Sequence, residues 1–126
     1  MSYASVESHC LSLPATSVHT PWSESRVFKV GGKMFAMIVM DGGRPSGVWF
    51  KAGETSARIL IEIDGIAPCP YLARAHWVAM AGLSPLKPKE LREYLTRAHA
   101  LVASGLSKKK RKSLGISEPM QDNPFL

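Results

Sequence analysis

The sequence predicts an α+β domain, with an antiparallel sheet, helices packed mainly on one face, and the element order α-β-β-β-α-β-α. Two strand-like runs meet at Gly31-Gly32, a pair typical of a tight hairpin turn. A long amphipathic pattern follows Pro88, and proline is favoured at the first position of a helix. The 126 residues, 45% of them apolar, suffice for one domain with its own core.

The first element is predicted to be a helix over residues 4–13. Val6 and Cys10 recur there at helical spacing, and Pro14 ends the pattern. The segment SVHTPWSES at 17–25 has the composition of a loop.

Three strands are predicted next, in the runs RVFKV, KMFAMIVM and VWFKA, joined by Gly31-Gly32 and by the turn DGGRPSG. Alternation along the middle strand sorts its apolar side chains into two faces. One face would hold Met34, Ala36, Ile38 and Met40, and the other Phe35, Met37 and Val39. A strand that is apolar on both faces needs a cover on both. The second cover would be a loop, a tail or another chain, and homodimerisation through this face is one hypothesis.

The second half of the chain alternates helix and strand. ETSARILIEID at 54–64 is predicted to be a short, largely buried helix, and IAPCPYLA at 66–73 is too rich in proline for regular structure. AHWVAMAG at 75–82 predicts the fourth strand, and a helix is expected from Pro88 to a C-cap at Gly105. Residues 1–107 would form one domain.

Residues 108–126 follow as a basic run and an irregular tail. The chain carries 16 lysines and arginines against 10 acidic residues, a net charge of +6. Without the five basic residues at 108–112 the balance falls to +1, so the excess charge belongs to that run rather than to the predicted domain.

Three blocks of the sequence resemble the MmcQ/YjbR family: VFKVGGKMFAMI at 27–38, PCPYLARAHWVAM at 68–80 and LVASGLSKKKRK at 101–112. The resemblance spans roughly residues 4–112 in the same order. It implies an α+β domain of the frataxin-like or double-wing type, in agreement with the predicted elements. The family's general label implies a non-enzymatic DNA-binding protein.

Basic residues are the candidate nucleic-acid-binding positions. If Phe28 faces the helices, Lys29 faces away from them, and Trp49 and Lys51 share that second face. Lysines beside an aromatic ring suit a surface that holds phosphates and stacks bases. The full set is Lys29, Lys33, Lys51, Arg74, Lys108, Lys109, Lys110, Arg111 and Lys112.

Three residues are candidates for stacking on bases: Trp49, Trp77 and His76. Strand alternation separates His76 from Trp77, so one of them would lie in the core. The alternative for the whole surface is that Trp49 packs under a loop and the lysines are only solvated. A further alternative is a protein-interaction or small-ligand-binding module on the second face of the sheet.

Other function classes receive little support from the sequence. The histidines lack metal-ligand spacing, so no metal or other cofactor is expected. Cys10 and Cys69 form no redox motif, and VGGKM lacks the spacing of a phosphate loop, so catalysis is not expected. The longest apolar run is too short for a membrane span and no secretion signal is visible, so a cytoplasmic location is expected.

Overall fold

In a computed structural model that describes residues 1–20 and 25–116, the chain forms four helices and a six-stranded sheet. The helices are α1 Tyr3–Ser12, α2 Glu54–Leu60, α3 Pro88–Ser104 and α4 Lys108–Ser113. The strands are β1 Thr16–His19, β2 Arg26–Val30, β3 Lys33–Asp41, β4 Arg44–Lys51, β5 Ile66–Pro68 and β6 Trp77–Ala81. The sheet order is β1-β2-β3-β4-β6-β5, and every neighbouring pair is antiparallel.

The predicted fold class is confirmed, because the main core lies between one face of the sheet and the helices. Phe28 and Phe50 of the sheet are fully buried in one cluster with Leu95 of α3 and Val6 of α1. The amphipathic pattern after Pro88 thus marks the helix that covers the centre of the sheet. Within the described part of the chain, no helix combines the length and apolar character needed to cross a bilayer.

Two segments predicted to lack regular structure contain edge strands. β1 pairs with β2, and β5 pairs with β6, each at an outer edge of the sheet. Both strands are short, and Pro68 is compatible with an edge because its missing N–H leaves no interior ladder position unpaired. The rest of the predicted 17–25 loop falls partly on residues 21–24, which lie outside the described residues.

A β-bulge in β3 overturns the predicted alternation of its side chains. Phe28 pairs with Ala36 whereas Lys29 pairs with Met34, so Phe35 is the extra residue on its strand. The prediction that Phe35 shares the second face with Met37 is therefore wrong. Its ring is fully buried on the helix-covered face, 6.5 Å between centroids from Phe28.

α2 is shorter and more exposed than predicted. Leu60 is its buried residue, whereas Ile59 is 59% exposed and the following Ile61 is 39% exposed. The helix packs beside β5 and β6 near one edge of the sheet, so one side of it remains open to solvent. Glu54 and Arg58, one helical turn apart, form an ion pair on its exposed side at 3.0 Å.

The basic run forms α4 rather than an irregular extension. The Ser107 side chain caps it by accepting a hydrogen bond from the backbone N–H of Lys110 at 3.0 Å. Arg111 folds back and donates to the carbonyl oxygens of Ser104 and Leu106. Leu114 and Ile116, both partly buried, then pack against the main core. The predicted tail continues into residues 117–126, which lie outside the described residues.

His99 is a buried polar residue of α3 that is held by a hydrogen bond and a ring contact. It is 4% exposed, and its Nε2 donates to the carbonyl oxygen of Pro14 at 2.7 Å. Its ring meets Phe35 edge-on, with centroids 5.3 Å apart. Burial lowers the pKa of His99 below its ordinary value, and the Pro14 bond only partly opposes that shift.

Stability is therefore expected to fall as the pH drops below about 6.5, because the unfolded chain takes up a proton that folded His99 resists. His99→Gln retains a hydrogen-bond donor but cannot titrate, so its melting temperature should change less between about pH 7 and 5. Part of the change of melting temperature with pH should remain in this variant, because burial also lowers the pKa of His9. Exposed His19→Gln is the control, and parallel pH profiles for His99→Gln and the unaltered protein would contradict this expectation.

Candidate nucleic-acid interface

The antiparallel topology gathers the predicted basic residues at one end of the sheet. β2 and β4 finish at this end, and β3 and β6 begin there, because neighbouring strands run in opposite directions. Lys29 is the second-last residue of β2, and Lys51 is the last residue of β4. Lys33 begins β3, and Arg74 belongs to the segment that leads into β6. We call this region, together with α4, the basic end.

α4 joins the basic end through a close contact with the β2–β3 turn. Gly31 has a left-handed φ of +60°, and a Cβ placed on it would lie 2.6 Å from a methyl carbon of Leu106. Leu106 is 7% exposed and immediately precedes Ser107, the N-cap of α4. The helix therefore begins beside the turn that precedes Lys33. The exposed lysines of α4 are Lys108, Lys109, Lys110 and Lys112.

Acidic residues lie mainly toward the opposite end. Asp41 closes β3, Asp64 precedes β5, and Glu90 lies in the first turn of α3. Within residues 1–20 and 25–116, the acidic residue placed at the basic end is Glu54, which is paired with Arg58. With α4, the basic end is therefore strongly positive, whereas at the opposite end Arg44, Lys87 and Lys89 largely balance the carboxylates.

The second face of the sheet has its own small core. Val27, Met37, Cys69 and Trp77 are buried together there, and Trp49 packs against them while remaining partly exposed. This agrees with the predicted outward orientation of Trp49 and the strand neighbours Lys29 and Lys51. Trp77 is 4% exposed, so its ring is part of this core and is not presented to solvent.

The segment 69–76 supplies the cover that the second face requires. Leu72 and Ala75 pack on the small core, and a 3-10 turn at Ala73–Ala75 shapes the segment. Of the three covers considered from the sequence, a loop is thus present. His76 ends the turn with a left-handed φ of 62° and an exposed side chain, so it is the solvent-facing member of the pair with Trp77.

A shallow groove of about 240 Å³ runs between α2 and this segment. Its lining comprises Glu54, Ala57, Arg58, Ile61, Pro68, Ala73, His76, Trp77 and Val78. Tyr71 lies in the chain between two lining residues, Pro68 and Ala73. Its side chain is fully exposed, and its φ of 64° is left-handed. Sequence reasoning did not single out Tyr71. The available signal was an aromatic residue directly after Pro70 in a proline-rich loop, where such a ring has little to pack against.

The two cysteines have no activated thiol. Burial raises the pKa of Cys10 to about 12 and that of Cys69 to about 11, so both thiols are protonated near neutral pH. Among the described residues, no group of three or more histidine, cysteine and acidic side chains is arranged to hold a metal ion.

Comparison with known proteins identifies the fold and the family. The YjbR family model matches residues 11–101. The chain belongs to the YjbR family. The crystal structure of the Deinococcus radiodurans protein DR2400, with domain DUF419, has a TM-score of 0.81 and 26% identity over 95% of this chain and 92% of that one.

A second solved structure shares the fold. A protein from Pseudomonas syringae has a TM-score of 0.64 and 19% identity, over 80% of this chain and 98% of that one. No curated protein matches the sequence. The match of the YjbR family model to residues 11–101 confirms the predicted family.

Proposed function

We propose that this YjbR-family protein is a cytoplasmic, non-enzymatic DNA-binding protein that contacts phosphates with the basic end of its sheet. The observation that carries the proposal is the packing of Leu106 against Gly31, which joins α4 to the lysine-bearing strand ends. Candidate basic residues that are scattered along the sequence are thereby brought to one end of the molecule. The DNA-binding, double-wing character implied by the family resemblance is consistent with this arrangement.

Electrostatic binding to a DNA backbone requires exposed cations rather than a shaped catalytic pocket. Each phosphate that a lysine or arginine neutralises releases condensed counterions, and the logarithm of the affinity falls by about 0.9 per contact for each log unit of salt. The α4 lysines are exposed, and none of them takes part in an ion pair among the described residues. The protonated, buried thiols of Cys10 and Cys69 favour a binding role over cysteine chemistry.

Substitution within α4 tests the proposal. We expect Lys109→Gln/Lys112→Gln to weaken binding to duplex or single-stranded DNA and to reduce the salt slope by about 1.8 for the duplex and about 1.4 for the single strand, the share of two phosphate contacts. Fluorescence anisotropy over a salt series measures both quantities. Substitution is preferable to removing α4, because Leu114 and Ile116 pack on the core.

The matched control is Lys87→Gln/Lys89→Gln, which removes two exposed lysines at the start of α3, at the other end of the sheet. It lowers the net charge equally but should leave most of the salt slope intact. Equal effects of the two double variants would indicate a response to net charge alone. No binding to either form of DNA at low salt would refute the proposed function.

A second candidate function is protein interaction, including homodimerisation, through the second face of the sheet. The observation that favours it is that Met34, Val39 and Trp49 remain partly exposed around the small core. Size-exclusion chromatography with light scattering distinguishes a monomer from a homodimer. A dimeric mass that becomes monomeric in Trp49→Lys would support this use of the face, and a monomeric mass for the unaltered protein would count against it.

A further inference from the structure

We propose that the groove between α2 and residues 69–76 receives a base of single-stranded DNA, and that Tyr71 stacks on a neighbouring base. This inference rests on the proposed function and specifies the form of DNA that is bound. It also assigns a role to the exposed side chain of Tyr71, which takes no part in the proposed phosphate contacts.

The size and lining of the groove suit one flat ring. Its volume of about 240 Å³ is below the roughly 300–1,000 Å³ of pockets that enclose drug-sized molecules. Ala57, Ile61 and Pro68 contribute apolar surface, and Trp77 belongs to the lining although it is only 4% exposed. A nucleobase offers such a site a wide apolar face with a polar rim.

The charges at the groove complement a nucleotide chain. Arg74 is exposed on the short segment that lines the groove, and Lys51 pairs in the sheet with Trp77, so two cations lie beside the groove. His76 adds a polar ring to the lining. The one acidic residue in the lining, Glu54, is held by Arg58 at 3.0 Å. A base in the groove would thus have cations nearby for its flanking phosphates.

Tyr71 is displayed on a loop whose backbone is fixed. Leu72 donates its N–H to the carbonyl oxygen of Cys69 at 3.2 Å, and Trp77 donates to the carbonyl of Leu72 at 3.3 Å. Leu72 itself packs on the small core, directly beside the exposed ring in sequence. Because the loop is already ordered, the Tyr71 ring can act as a stacking platform at little entropic expense.

Single-stranded DNA fits these features better than duplex DNA. In a duplex the base faces are already stacked and the base edges are paired, so filling the groove would require unpairing and unstacking. In a single strand the faces are accessible, and cationic grooves with exposed aromatic rings are the usual means of binding it. The groove and Tyr71 should therefore add affinity for the single strand that phosphate contacts alone do not provide.

The test compares a labelled oligothymidylate of about 16 nucleotides with a duplex of the same length by anisotropy. We expect Tyr71→Ala to weaken binding of the single strand by roughly 5- to 100-fold and to change duplex binding little. Tyr71→Phe keeps the ring and should retain most of the affinity. Because Tyr71 is fully exposed, both variants should fold, which their melting temperatures would verify.

The groove is tested separately by Ala73→Phe, which places a ring in its lining at an exposed position. This variant should also weaken single-strand binding, whereas Ala4→Phe, at an exposed position of α1, should not. An oligouridylate of equal length distinguishes RNA from DNA, and tighter binding of the RNA would overturn the assignment to DNA.

The failure of this inference is distinguishable from that of the proposed function. DNA binding that is unchanged by Tyr71→Ala and Ala73→Phe, or equally tight for duplex and single strand, would overturn the inference and leave the phosphate-binding function standing. Absence of binding to every oligonucleotide at low salt would overturn both.

Discussion

Replacement of Phe35 by alanine is expected to lower the free energy of unfolding by about 3–5 kcal/mol, the range for removing a buried phenylalanine ring. Phe35 is fully buried, and its ring contacts those of Phe28 and His99. Its removal would leave a cavity between β3 and α3. The surrounding rings cannot fill that space without losing contacts of their own, so the cavity term adds to the lost burial.

Urea unfolding followed by circular dichroism measures this loss. The matched control is Tyr71→Ala, which also truncates an aromatic ring but at a fully exposed position, and it should change stability by less than about 0.5 kcal/mol. A similarly small effect of Phe35→Ala would mean that the ring lies outside the main core, as regular alternation along β3 would have placed it.

Gly47→Ala is expected to destabilise the protein by about 3 kcal/mol, because β4 approaches β6 too closely for a methyl group. A Cβ on Gly47 would lie 2.3 Å from the carbonyl oxygen of Met80. That oxygen belongs to the backbone of a paired strand, so it cannot move aside as a flexible side chain could. Relief requires the two strands to separate locally, which weakens the ladder between them.

Gly105→Ala provides the control for Gly47→Ala. Gly105 has a φ of −81°, and a Cβ there would lie 3.4 Å from its nearest neighbour, the carbonyl oxygen of Val102. Alanine is compatible with both values, so thermal unfolding of this variant should be nearly unchanged or slightly improved. Equal melting temperatures for the two alanine variants would show that the β4–β6 spacing can relax.

The parts of the fold that the sequence predicts well are those specified by local patterns. The hairpin turn at Gly31-Gly32 requires residues that tolerate positive φ, and both glycines adopt it. The helix from Pro88 has its N-terminal proline and an apolar stripe in which Leu91 and Leu95 are buried. These signals lie within a few residues of the structure they determine.

The missed elements depend on distant partners. β1 and β5 are strands because β2 and β6 offer them backbone hydrogen bonds, and their own residues carry little periodicity. The bulge at Phe35 likewise requires knowledge of which residues it opposes. Burial of α2 was overestimated because its apolar residues suggest a core helix, whereas its position near the sheet edge leaves Ile59 exposed.

The candidate site also combines features that the local sequence predicts with features that depend on distant contacts. The basic residues could be chosen from the sequence, since their charge is a property of the residue type. Their convergence could not, because it follows from strand direction and from the contact of Leu106 with Gly31. Burial of Trp77 and exposure of Tyr71 both depend on how residues 69–76 fold across the second face.

The excess of positive charge at the basic end also has a kinetic consequence. A molecule that is strongly positive at one end and nearly balanced at the other, where Lys87 and Lys89 accompany Asp41 and Glu90, has a permanent dipole moment. The field of a polyanion exerts a torque on this dipole, and the torque turns the molecule before contact. Encounters would therefore begin in a preferred orientation, which raises the productive fraction of collisions at low ionic strength. If the proposed DNA binding holds, the arrangement of a few charges across an antiparallel sheet would set how quickly the protein meets DNA, apart from how tightly it holds it.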